Sequence, residues 1–190
     1  MVYAMTRRGA TILVLLLGLA AANCSKTDTP ANSQQPNLTA DPYACTLLTK
    51  EEIQAVQGEA FKNTKPSQRM AAGLTVSQCY FELPTAANSV VLTVTRKAEG
   101  GRDPSQSWRD IFHSERRSEE EGERGEKKPQ KPQEIDGLGE EAFWTGTHVG
   151  GALFVLKGNC YIRISVGGAG DTAQKIEKSK ALAESVLKRL

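Results

Sequence analysis

Apolar residues recur along this chain with two different periods, and the changes of period mark its elements. Thr49-Lys50-Glu51-Glu52 has the form of a capping box, in which Thr49 satisfies free amides and Glu52 reaches back to the cap. Leu48 and Ile53 stand at the staple positions and Gly58 supplies a stop, so a helix is predicted over about 50–57. Two strands follow. Cys79, Phe81 and Leu83 share one phase and Gln78, Tyr80 and Glu82 the other, while Val90, Leu92 and Val94 alternate with Val91, Thr93 and Thr95. Period-two alternation of this kind predicts half-buried strands, joined here by a loop at 84–89.

Asp103-Pro104-Ser105-Gln106 opens a second helix, with proline at the first helical position. Trp108, Ile111 and Phe112 fall at i, i+3 and i+4 and give it one narrow apolar stripe. The mixed-charge run HSERRSEEEGERGEKKPQKPQE then reads as a solvated helix end passing into a mobile charged loop at about 119–135. Beyond it, strands are predicted at about 141–146, 152–157 and 160–166, the last two joined by a Gly158-Asn159 hairpin turn. Cys160, Ile162, Ile164 and Val166 face one way, and Tyr161, Arg163 and Ser165 the other. A final helix opens at Asp171 with Gln174 at its third position and carries Ile176, Ala183, Val186, Leu187 and Leu190 on one stripe. The order α-β-β-α-β-β-β-α predicts an α+β domain over 43–190: an antiparallel sheet of about five strands with helices packed on its one apolar face.

Upstream the pattern changes in kind. Ala10–Ala22 is an unbroken run of 13 apolar or small residues behind Arg7 and Arg8. A spanning helix needs about 20 such residues, so residues 1–23 read as a secretory signal peptide. Ala20-Ala21-Ala22 fits an A-x-A cleavage before Asn23, which would release a soluble secreted or periplasmic protein. Cys24, directly after Leu19-Ala20-Ala21-Ala22-Asn23, instead resembles the lipid-accepting cysteine of a bacterial lipoprotein. The stretch to Pro42, polar and carrying three prolines, suits a flexible tether with a reach of about 20–25 Å.

Charge removes other classes. Loss of the leader takes two of the 24 basic residues, leaving 22 against 22 acidic ones. A neutral chain has no electrostatic footprint for nucleic acid or for a polybasic membrane contact. Without a C-x-x-C pair there is no sign of a zinc ribbon or a thioredoxin-type centre. Lipidation of Cys24 would leave Cys45, Cys79 and Cys160, an odd count. Cys45–Cys79 is the favoured disulfide, pinning the segment before the first helix to the first strand, with Cys160 as a buried free thiol. Cys79–Cys160 competes.

Candidate chemistry is sparse. Gly168-Ala169-Gly170-Asp171-Thr172-Ala173 formally matches a dinucleotide fingerprint, but no second strand follows and Asp171 would repel a phosphate. His113 and His148 read as surface residues. Trp144, next to Phe143, together with Tyr161 and Arg163 on the polar phase, could form an exposed aromatic–arginine face for a ligand or partner; cover by the charged loop is the alternative.

Several segments resemble a group of uncharacterised lipoproteins best known from actinobacteria: Cys45-Thr46-Leu47-Leu48-Thr49 with Glu52, the Cys79-Tyr80 strand, Gly137-Leu138-Gly139-Glu140-Glu141-Ala142-Phe143-Trp144, and Ala181-Leu182-Ala183 with Val186, Leu187 and Leu190. Some of that group are likened to the extracellular sensor domain of a mycobacterial receptor kinase. The resemblance implies a cell-envelope domain, a Cys45–Cys79 bridge and no transferable catalytic residue, metal or cofactor. The expectation is a lipid-anchored envelope protein that binds a small ligand or an envelope protein, with a secreted hydrolase or a structural accessory subunit as alternatives.

Overall fold

A computed structural model describes residues 42–114, 131–147 and 150–190. A 3-10 turn at Pro42–Thr46 leads into helix α1 (Lys50–Gln57), then strands β1 (Asn63–Ala71), β2 (Leu74–Glu82) and β3 (Val90–Lys97). Helix α2 (Pro104–Phe112) follows, then β4 (Gln133–Glu134), β5 (Glu141–Gly146), β6 (Gly151–Lys157), β7 (Cys160–Val166) and helix α3 (Thr172–Leu187). The strands form one antiparallel sheet in the order β1-β2-β3-β7-β6-β5-β4. The fold is α+β, as expected, but the described sheet has seven strands rather than about five.

Both added strands are edges. β1 reads Asn-Thr-Lys-Pro-Ser-Gln-Arg-Met-Ala, without alternation, and carries Pro66 in its middle. A proline is tolerated there because an edge strand can leave one side unpaired. It pairs with β2 through the two-residue turn Ala72-Gly73, both at positive φ, which is the turn geometry that tight hairpins favour. Gly73 has a second reason to be glycine: a Cβ there would sit 2.9 Å from the Arg102 backbone nitrogen. β4, at the other edge, is formed by the last residues of the loop expected at 119–135, where Gln133 and Glu134 pair with Trp144 and Phe143.

The helix caps are those read from the sequence. Thr49 Oγ1 accepts from Glu52 N at 3.3 Å while Thr49 N donates to Glu52 Oε2 at 2.9 Å. Asp171 and Gln174 form the same reciprocal pair on α3. Each cap contributes about 1 kcal/mol. At the other end, Arg189 donates to both carboxylate oxygens of Glu52 and to Leu47 O, tying the last residues to the start of α1.

One sheet face makes the core. Cys79, Phe81, Leu92, Val94, Leu153, Val155, Ile162 and Ile164 are fully buried against Ile53 of α1 and Leu182, Ala183 and Val186 of α3. Cys45 and Cys79 are joined in a disulfide that bolts the 3-10 turn to β2. Cys160 is a free thiol, half-buried rather than buried, because it is the first residue of its strand and meets the core only at its rim.

The expectation that all helices share one face fails. Trp108 and Phe112 of α2 contact Phe143, Phe154 and Tyr161, whose phase is opposite to that of Trp144, Val155 and Ile162. Helix α2 therefore lies across the outer face. The narrow stripe Trp108–Phe112 matches a small aromatic patch there, not the broad aliphatic core.

Candidate functional site

Register lays the outer face out in rows. In one row Gln78 of β2 stands opposite Thr93 of β3, Thr93 opposite Arg163 of β7, Arg163 opposite Phe154 of β6, and Phe154 opposite Phe143 of β5. The row is polar on one side, aromatic on the other, with a cation at the boundary. Helix α2 covers the aromatic side. Trp108 is 1% exposed, its ring 4.4 Å from Phe112, 5.8 Å from Tyr161 and 5.9 Å from Phe143. Phe112 stacks on Phe143 at 4.7 Å and meets Phe154 edge-on at 5.4 Å. Each such pair adds about 0.5–1.5 kcal/mol beyond the area it buries.

Glu141 finishes the rim of this cluster. Its Oε2 accepts from Trp108 Nε1 at 2.8 Å and lies 2.8 Å from His113 Nε2, so one carboxylate holds the middle and the end of α2. The Trp108 hydrogen bond, followed by that of His113, keeps the Glu141 carboxyl below the usual carboxylate range. His113 is thus occupied in packing.

Of the three residues expected on a shared face, the structure keeps Tyr161 and Arg163 together on the outer face and turns Trp144 to the other side. Trp144 is 4% exposed and belongs to the core, with its indole nitrogen buried and without a hydrogen-bond partner among the described residues. Of the Phe143–Trp144 pair it is the phenylalanine that points outward. Tyr161 does lie on the outer face, but beneath Trp108. Arg163, half-buried like Tyr161, has its guanidinium carbon 5.7 Å from the Phe154 ring centroid. It makes no ion pair among the described residues. Burial lowers its pKa by desolvation alone. The reading from sequence missed the roles of Phe143, Phe154 and Glu141, although Phe143 between Glu141 and Thr145 in the polar phase of β5 was a visible signal that something apolar lands there.

Beyond Arg163 the outer face ends in a cleft of about 430 Å³, where Ala87, Ser89, Val91, Gly151, Ser165 and Lys175 are among the lining residues. Ser165 Oγ donates to Gly151 O at 2.7 Å. Ser89 Oγ accepts from Leu83 N at 3.3 Å. The Gly168–Asp171 turn carries Gly168 and Gly170 at positive φ, and Asp171 caps α3 by accepting from Gln174 N at 2.8 Å. That carboxylate occupies the helix N-terminus a phosphate would need.

The expected signal peptide, Cys24, the tether before Pro42 and His148 lie outside the described residues, as does 115–130 of the charged segment. Among the described residues no three metal-ligating side chains cluster, and no helix is long and apolar enough to cross a membrane. Burial pushes the Cys160 thiol above its ordinary pKa, away from a reactive thiolate. No protein-family model, curated protein or solved structure matches this chain.

Proposed function

We propose that this chain is an exported, lipid-anchored protein of the cell envelope, and that its α+β domain binds a ligand or partner rather than catalysing a reaction. The observation that carries the reading is the Cys45–Cys79 disulfide. Disulfides persist in oxidising compartments and are rare in the cytosol. The apolar leader with Cys24 at its end supports the same address, and Cys24 would attach the domain through the polar stretch to Pro42. Binding is supported by Arg163, a half-buried, desolvated cation that makes no ion pair among the described residues.

Intact-mass analysis of the membrane fraction tests the address. The expected species begins at Cys24, carries the added mass of acyl chains and contains one disulfide. A full-length chain in the cytoplasm with every thiol reduced would overturn the proposal.

A further inference from the structure

Without its leader the chain is neutral, yet the charges of the described domain are unevenly shared. The half of the outer face that α2 leaves uncovered carries Lys65 and Arg69 of β1 and Arg163 of β7, with Lys62 just before β1. Register sets Lys65 opposite Tyr80 and Arg69 opposite Val76. The only acid in the outer phase of β1, β2, β3 and β7 is Glu82, which takes Lys62 at 3.3 Å and Lys65 at 2.9 Å. Two lysines thus share one carboxylate, and Arg69 and Arg163 make no ion pair among the described residues. Helices α1 and α3, on the other side of the sheet, mix both signs. Lysine and proline on an edge strand also discourage pairing with another chain. That accounts for part of β1, but not for a cation on β7, which lies between β3 and β6.

We propose that this basic half-face is the side the anchored domain turns toward its bilayer, held there by anionic lipid headgroups. This deepens the lipid-anchored reading above and rests on it. Two observations beyond the charge select a membrane. The 3-10 turn at Pro42–Thr46, where the tether from Cys24 would enter, is bolted through Cys45 to Cys79 of β2, the neighbour of β1. The attachment point is therefore in the same half of the sheet as the cations, and a tether with a reach of about 20–25 Å keeps that half close to the surface. Tyr80 lies between them, half-buried, with the Lys65 ammonium 5.5 Å from its ring. An aromatic body with a polar tip, beside a long cationic side chain, suits the headgroup layer. The attraction acts within about 8 Å of the charged surface at physiological salt, so it needs the tether to bring the face there.

The test reconstitutes the protein purified from the membrane fraction into vesicles of phosphatidylcholine, with and without phosphatidylglycerol, and follows lysine acetylation by mass spectrometry. Lys62 and Lys65 should be acetylated severalfold more slowly when phosphatidylglycerol is present, while Lys180 and Lys188 at the α3 side keep their rates. High salt should remove the difference. Each cation near an anionic surface is worth about fivefold in the face-down population. Arg69→Gln with Arg163→Gln should therefore return Lys62 and Lys65 most of the way to their rates in phosphatidylcholine. Arg69 is exposed, so Arg69→Gln alone tests the face without disturbing the fold, and Arg69→Lys should keep the protection. Equal rates in the two kinds of vesicle to which the chain is bound would overturn the half-face and leave the anchor standing. Slowing of Lys180 and Lys188 instead, or protection unchanged in the double variant, would also overturn it. Binding only where phosphatidylglycerol is present, with Lys62 and Lys65 slowed, would keep the half-face and discard the anchor. Binding to neither vesicle would overturn both.

Discussion

Removing the Cys45–Cys79 bridge should destabilise the domain by about 4 kcal/mol. The two cysteines are 34 positions apart, and the chain-entropy relation for a loop of that size gives a stabilisation of about 4 kcal/mol at 25 °C. The perturbation is the double change Cys45→Ala with Cys79→Ala, which avoids leaving one thiol free. Cys79 is fully buried while Cys45 is only partly so, and alanine in place of a sulfur adds a small cavity cost of under about 1 kcal/mol. The bridge acts on the unfolded chain by holding it compact, so the variant should also expose more surface on unfolding. Urea denaturation followed by tryptophan fluorescence therefore reads two things: a lower midpoint and a steeper denaturant slope. Dithiothreitol should shift the unchanged protein toward the variant and leave the variant where it is. A variant with an unchanged midpoint and slope would refute the reasoning, because the bridge would then constrain nothing that the remaining core does not already fix.

Two further outcomes test the packing of α2. Trp108→Ala should cost about 3–5 kcal/mol, the range for a large buried aromatic, and should abolish the near-ultraviolet circular dichroism of the ring cluster; a loss under about 1 kcal/mol would mean that α2 is not docked on the outer face. Glu141 has a depressed folded pKa, so its contribution is fully present above its unfolded value of 4.5 and is lost as pH falls through the folded value. Its side chain is 42% exposed, which with solvent screening holds the contribution to about 1 kcal/mol or less. Glu141→Gln should accordingly be less stable at about pH 7 and equal to the unchanged protein at about pH 3, as read from urea midpoints; an equal deficit at both pH values would remove the charge from the explanation.

The elements that sequence reasoning found are those whose local chemistry and global role agree. The Thr49–Glu52 and Asp171–Gln174 boxes, the Gly158 turn and the alternation in β2, β3 and β7 each point to one structure and are found in it. β1 is different, because nothing in Lys65-Pro66-Ser67-Gln68-Arg69 alternates. An edge strand receives its hydrogen bonds from its neighbour and buries little, so its signal resides in β2 and not in itself. β4 is shorter still and exists through the backbone of Phe143 and Trp144. The outer face misled for a related reason. Alternation tells which residues share a side, but with Phe143 and Trp144 adjacent, both sides of β5 look apolar and the choice of core falls to partners distant in sequence.

That choice was decided by shape. The core side needed residues that interdigitate with α1 and α3, and the aliphatic phase of β3, β6 and β7 supplied them, drawing Trp144 in through its neighbours on β6. Phe143 was thereby turned outward, next to Phe154, leaving an aromatic patch that the narrow stripe of α2 could cover but could not extend beyond. Arg163 lies where that cover ends. There it is half-buried and desolvated, with Phe154 beside its guanidinium. The position of Arg163 becomes informative only after register fixes Phe154 on one side of it and Thr93 on the other.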